Sequence, residues 1–530
     1  MKSINELSFG FPDAENYKRK ENKELFNKIF IKDDYLEKIL EPSISFLIGE
    51  KGTGKTAYAV FLSNHHYKGF FSNLKYIRET EYNKFLVLKK EKHLSLSNYA
   101  SIWKVILYLL VSSEILEKEK TLLSNIRQYK RFSALREEIN DYNNGAFSPE
   151  IIQGLEFIEE DEVSAGLLFK HFKAQGEFKE IQKFTSSTFQ NNLRFIQKSF
   201  EDALKQVKLN NNHILFIDGI DIRPADIPYN DYIQCIKGLA NAVWEMNNDF
   251  FPNIKGTKGH MRIVLLLRPD IFTSLGLQNQ NNKIRSNSVL LNWKTDYASH
   301  RESSLFKLLD HMLSIQQTTS IPFGESWDHY FPWNAPNTDD YPYKTTSFIS
   351  FLRWSYHRPR DILTFLDTLK ENNKDEEIFS IADFGDPATI REYSIYLLGE
   401  IKDQLSFYFS DGEYEIFLKF FEYLNGSNRF DYQDFQIAFK KYQQYVDNTI
   451  TSPKPIFMET ENIFLQFLFE LNVICYKEYV ENRDVPHIHW CFKDRNYANI
   501  SPKVKTNCHY EIFYGLAKAL NIGAKFDQQT

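Results

Sequence analysis

Residues 43–64 read SISFLIGEKGTGKTAYAVFLSN. An apolar run of strand length passes through a glycine-rich turn into a segment with Ala57, Val60 and Phe61 at helical spacing, so the stretch predicts strand, loop, helix. Two more apolar runs of strand length follow, HILFIDGID at 213–221 and RIVLLLRPDIF at 262–272. Both are bounded by polar, Gly or Pro residues and are apolar on both faces, as strands of a covered parallel sheet must be. Between them DYIQCIKGLANAVWEM (231–246) carries Ile233, Ile236, Leu239, Ala240 and Val243 at helical spacing. That alternation predicts a βαβ core, hence an α/β fold, and SVLLNW (288–293) predicts one further strand.

The remaining composition fits a multidomain globular chain. With 530 residues, several domains are expected. Lys plus Arg is 64 and Asp plus Glu 70, a net charge of -6, so no global attraction to nucleic acid or anionic lipid exists and any polyanion contact must be local. Apolar residues make up 42%, too many for a disordered chain. The 46 Phe and 30 Tyr read as core packing. Four cysteines, Cys235, Cys475, Cys491 and Cys508, form no CxxC pair, which predicts a reducing, cytoplasmic location. The start MKSINELSFG has no charged segment followed by an apolar one. The most apolar stretch, IWKVILYLLVSSEIL, is interrupted by Lys104 and is expected to fall short of a bilayer span.

Along the chain, 1–40 reads as a lead-in and 41–300 as the core, with a helical insertion at about 117–205 that includes the acidic cluster Glu159–Glu162, expected as a solvated face. Helical segments at 301–405 follow, with no further strands expected there. Residues 406–530 give three helices (GEYEIFLKFFEYL, FDYQDFQIAFKKY, ENIFLQFLFEL) and then strand-like VICYKEYV and HIHWCF around the turn ENRDVP, the pattern of a winged-helix-like domain.

The chemistry concentrates in GEKGTGKT, a full GxxxxGK[ST] match between strand and helix. Triphosphate oxygens need converging N–H donors, and glycines let the backbone curl around them at the positive end of a helix. Gly49, Glu50, Lys51, Gly52, Thr53, Gly54, Lys55, Thr56 and Ala57 are therefore the candidate nucleotide-binding residues. Lys55, on a loop expected to reach solvent, would span the β and γ phosphates, and Thr56 would ligate Mg²⁺. The strand ILFID ends at Asp218, where a carboxylate would meet that Mg²⁺, and Asp221 is the candidate to polarise the attacking water. Many hydrolytic P-loop proteins place Glu directly after the metal Asp; here Gly219 stands there. With no NKxD for guanine, ATP is the expected nucleotide.

GEKGTGKT, FIDGID and LLLRP together resemble the STAND and NACHT-type branch of AAA+-related P-loop ATPases. The set is also similar to a bacterial P-loop ATPase family carrying DGIDIRP, LLRPDIF and RPRDIL, to whose closing segment HWCFKDRNYANISPK is similar as well. Ile222 stands in place of the final Glu of the STAND strand motif, and FGFPDAE in place of a Gly-Arg box. The resemblance implies an ASCE-type P-loop NTPase core with parallel sheet, helical insertion, helical lid and C-terminal winged-helix-like domain. By it the chain would bind and hydrolyse ATP with Mg²⁺ as a molecular switch in a bacterial defence or conflict system, as a homo-oligomer or with a separately encoded effector protein. Arg268 would report the γ-phosphate, lid arginines Arg360 and Arg358 would reach the phosphates, and Arg285 or Arg301 would serve a neighbouring subunit. Two rival readings stand beside it: a DNA-binding AAA+ factor resembling origin-recognition ATPases, and a scaffold that holds ATP without hydrolysing it. In the tail, Arg483, Lys493, Arg495, Lys503 and Lys505 are candidate contacts to a nucleic-acid backbone. His487, His489 and Cys491, at alternate positions of a strand, could with Cys475, Cys508 or His509 hold zinc, though no CxxC or HxxxH spacing supports that. No membrane partner is expected.

Overall fold

A computed structural model of the chain describes residues 1–77, 96–120, 186–224, 227–336, 345–409, 411–449, 455–479 and 485–523. Most of the 117–205 insertion, including the acidic cluster at 159–162, lies outside the described residues, as does Arg483. By internal packing the chain divides into two compact units: Leu36–Ile48 with Thr56–Val289, and Met1–Tyr35 with Gly49–Lys55 and Leu290–Thr530.

The first unit is built on five parallel strands: β1 (Phe46–Ile48), β2 (Phe70–Tyr76), β3 (Asn212–Asp218), β4 (Met261–Leu267) and β5 (Ser288–Leu290). Their spatial order is β2-β3-β4-β1-β5, so β4 is inserted between β1 and β3. β1 and β4 are buried at every residue and β3 at all but its first, which is why their sequences are continuous apolar runs. β2 was not anticipated. Its faces alternate, with Ser72 and Leu74 buried and the other residues half-exposed, as suits a strand at the end of a sheet.

Helices Leu96–Lys120 and Tyr229–Glu245 pack on one another, with Trp103 Nε1 donating to the Cys235 carbonyl at 3.1 Å. The long first helix corrects an expectation: its segment Tyr99–Lys118 is long and apolar enough to cross a membrane. Its fate is decided by packing instead, since 67% of that window is buried inside the fold. Helix Ser186–Gln206 packs on it too, through a 3.0 Å bond from Tyr108 Oη to Glu201.

Burial also isolates one acid on that helix. Glu114 is 2% exposed, neither carboxylate oxygen has a hydrogen-bond partner among the described residues, and His213 Nδ1 lies 4.0 Å away. Desolvation holds its carboxyl well above the ordinary range, with Lys118 pulling weakly the other way. The folded chain thus keeps a proton that the unfolded chain releases above about pH 4.5. Stability must fall as pH rises from there through the folded value, by about 1.4 kcal/mol per pH unit for one linked proton. Glu114→Gln removes that slope, so its melting temperature should exceed the wild type's by more at pH 8 than at pH 5. Parallel curves from pH 5 to 8 would show that Glu114 titrates normally.

In the second unit the N-terminal segment is tied to the helix Ser304–Ser314 and its end, with Lys28's carbonyl 2.9 Å from His311 Nε2 and Lys2 N donating to Gln317 at 2.8 Å. Phe306, Trp327, Phe331, Phe348, Phe351 and Phe365 form a continuous aromatic core. A two-residue pair, β6 (Asn334–Ala335) with β7 (Thr345–Thr346), interrupts the all-helical expectation. Beyond it lie helices Asp411–Glu422, Tyr432–Thr449 and Glu461–Glu470, cored by Phe420, Phe435, Tyr442 and Phe464. Strands β8 (Arg429–Asp431), β9 (Ile474–Glu478), β10 (His487–His489) and β11 (His509–Ile512) form an antiparallel sheet in the order β10-β9-β11-β8. The HIHWCF stretch is strand only to His489, because Cys491 opens the short helix Cys491–Asp494.

Candidate functional site

The loop between β1 and the helix Lys55–Asn64 closes on itself. Thr53 donates through its amide (3.3 Å) and its hydroxyl (2.8 Å) to the Glu50 carbonyl. Gly52 and Gly54 have φ of 85° and 94°, the left-handed region where a side chain would be strained, so the turn requires both glycines. Lys55 folds back over this turn and donates to the carbonyls of Gly49 (2.8 Å) and Glu50 (3.1 Å). Lys55 itself is 8% exposed, and its ammonium is held by the loop's own backbone. Ala57, in the first turn of the helix, is half-buried.

In the sheet unit, Thr56 Oγ1 donates to Asp218 Oδ2 at 2.7 Å. A hydroxyl and a carboxylate brought together at the ends of a helix and a strand are the oxygen donors that a hard cation such as Mg²⁺ takes. Asp218 Oδ1 accepts from the Gly219 amide at 2.8 Å, which holds the carboxylate in place. Gly219 has φ 82°, and a Cβ there would lie 3.1 Å from the Ile77 carbonyl. A side chain at this position would be strained by the left-handed φ and crowded by the Ile77 backbone, which accords with glycine standing where Asp-Glu proteins carry Glu. Asp221 stands half-buried in the following turn, which Tyr232 Oη braces through the carbonyls of Ile220 and Ile222.

Four of the five candidate arginines are engaged within their own units. Arg268 is 2% exposed and forks onto Asp270, Nε to Oδ1 at 3.1 Å and Nη2 to Oδ2 at 2.7 Å. Arg358 forks onto Asp361 at 2.9 and 3.0 Å. Arg360 touches the glycine-rich loop through its backbone: its amide donates to the Gly52 carbonyl at 3.4 Å, while its guanidinium goes to the Pro12 carbonyl (3.0 Å) and Glu400 (3.4 Å). Arg301 pairs with Asp328, and Arg285 is exposed on the helix Gln280–Asn287.

Sequence reading missed the groups that grip this loop within the second unit. Glu50 is bound by Arg495 and Asn472, Lys51 by Glu400 and Asp403, and the Thr53 carbonyl by Trp293 Nε1 at 2.9 Å. Each partner lies hundreds of positions away in the chain, and no motif spacing marks it.

The tail candidates are largely neutralised. Arg495 is buried on Glu50, Lys505 pairs with Glu478, and burial pushes Lys493 down to about 8. His489 lies between Asp494 and Glu478, each at 2.8 Å, and no group of three or more metal-ligating side chains occurs among the described residues. The zinc set is not assembled there. No known protein-family model matches the chain, and no curated protein matches it.

Proposed function

We propose that the chain is an ATP-binding and ATP-hydrolysing switch of the STAND/AAA+-related type, with an ASCE-type core and a winged-helix-like tail. The observation that carries this reading is the 2.7 Å Thr56–Asp218 pair at the end of GEKGTGKT and of β3. The insertion of β4 between β1 and β3 supports the ASCE assignment. For the tail, support comes from the order helix, β8, helix, helix, β9, with β11 between β9 and β8.

In this reading Gly49–Thr56 binds the phosphates through its amides, Lys55 exchanges backbone carbonyls for phosphate oxygens, and Thr56 with Asp218 holds Mg²⁺. The bound Mg²⁺ would neutralise charge on the phosphate oxygens. Asp221 is the candidate base. Titration calorimetry with MgATP tests the binding, and multiple-turnover phosphate release tests the hydrolysis. Asp221→Asn should keep affinity and lose at least about 10²-fold in turnover, the usual contribution of a general base. Turnover at the wild-type rate would remove Asp221 from the mechanism.

Gly219 favours a second reading, an ATP-holding protein without turnover, because the position after the metal acid carries no carboxylate and its left-handed backbone would strain one. Binding without phosphate release would decide for it. Engagement of Arg495 and Lys505 by Glu50 and Glu478 weakens the DNA-binding alternative.

A further inference from the structure

The phosphate-loop motif leaves its second position open to any residue. In this chain Glu50 fills it, and the side chain is received by a prepared site in the C-terminal segment. Arg495 Nη1 donates to Oε1, and Asn472 Nδ2 lies 3.3 Å from both carboxylate oxygens. Neither partner is loose. The guanidinium is fixed at its other edges by the Ile500 carbonyl (2.9 Å) and Cys491 Sγ (3.2 Å). Asn472 ends the helix Glu461–Glu470 in a left-handed conformation (φ 60°), and its Oδ1 accepts from the Phe492 amide at 2.9 Å. Both side chains are buried. One residue therefore faces two ways: the Glu50 carbonyl carries Lys55 and Thr53, and the Glu50 carboxylate carries the elements around β9 and the helix Cys491–Asp494.

We propose that Glu50 couples the phosphate loop to the C-terminal domain, with Arg495 and Asn472 as the positioning residues that receive it, so that nucleotide and the state of that domain bias each other. The inference rests on the nucleotide reading above and adds the route of communication. A ligand that takes the Lys55 ammonium removes a bond from the Glu50 carbonyl, and the carboxylate on the same residue is held in a rigid cradle. Linkage then makes the effect reciprocal: what nucleotide does to the cradle, loss of the cradle must do to nucleotide affinity. The sign follows from charge. Arg495 neutralises a carboxylate beside the loop that must receive an anion, so removing it should weaken binding.

The test uses the full chain, with MgATP as the probe. In wild type, MgATP should alter amide hydrogen exchange within 461–512; Arg495→Gln should abolish that change and weaken MgATP binding by about 5-fold or more. Asn472→Gly provides a second variant if Arg495→Gln does not fold, because glycine keeps the left-handed backbone while deleting the amide. It too should lose the nucleotide-dependent exchange. Wild-type MgATP binding, with unaltered affinity and exchange response in whichever of the two variants folds, overturns the coupling alone. A wild-type chain that takes up no MgATP overturns the nucleotide reading and the coupling with it.

Discussion

Lys55→Met should reduce MgATP affinity by roughly 10- to 150-fold, the equivalent of one charge-assisted hydrogen bond of about 1.5–3 kcal/mol. Methionine retains the apolar stem in a buried position while removing the ammonium, which separates charge from packing. The substitution also removes the two bonds from Nζ to the carbonyls of Gly49 and Glu50. Each contributes about 1 kcal/mol net, so a melting temperature a few degrees lower is expected without ligand. Calorimetry at a temperature where both proteins are folded is the decisive measurement. Equal affinities would remove Gly49–Thr56 from nucleotide binding, whatever the loop's geometry.

What could be read from the chain, and what could not, follows from the range of the forces involved. β1, β3 and β4 were legible because a strand covered on both faces needs an unbroken apolar run, and FLI, HILFID and MRIVLLL supply one. β2 escaped because FFSNLKY is half-exposed and mixes polar residues into its pattern. β8 escaped because Phe430 and Asp431 run straight into the helical pattern FDYQDFQIAFKKY, and the four-residue β11 carries no apolar run to mark it. The glycines of the loop and the strand-end Asp218 were legible because their requirements are local: a positive φ at Gly52 and Gly54, a carboxylate at the end of β3. The arginines were not, because a guanidinium's role depends on which acid comes within 3 Å. Arg268 and Arg358 found theirs two and three residues on, at Asp270 and Asp361. Arg495 found its acid 445 positions away, at Glu50.

Arg358→Ala should cost about 3–5 kcal/mol of stability, the usual loss when one partner of a buried ion pair is removed. Arg358 is 5% exposed and Asp361 0%, the two are joined by a bidentate fork, and the guanidinium lies 4.7 Å from the Tyr356 ring centroid. Burial alone would lower the arginine's pKa, but the Asp361 carboxylate outweighs it and keeps the guanidinium charged. Asp361 in turn lies above the ordinary carboxylate range because burial outweighs the pull of Arg358. Without the arginine that pull is gone, leaving the carboxylate with the Tyr356 amide (3.0 Å) and Tyr396 Oη (3.2 Å). Its folded pKa then rises further above the unfolded value near 3.8, so stability is retained at low pH and lost as pH rises through the folded value. The deficit of Arg358→Ala should accordingly be larger at pH 8 than at pH 5. Adding Asp361→Asn should recover part of it, because an amide carries no charge to strand. A phosphate-reading arginine behaves differently: its loss would leave the melting temperature near wild type and shrink the stabilisation that MgATP confers. Denaturant unfolding of the single and double variants, with and without MgATP, separates the two, and an unshifted midpoint without ligand would return Arg358 to the nucleotide site.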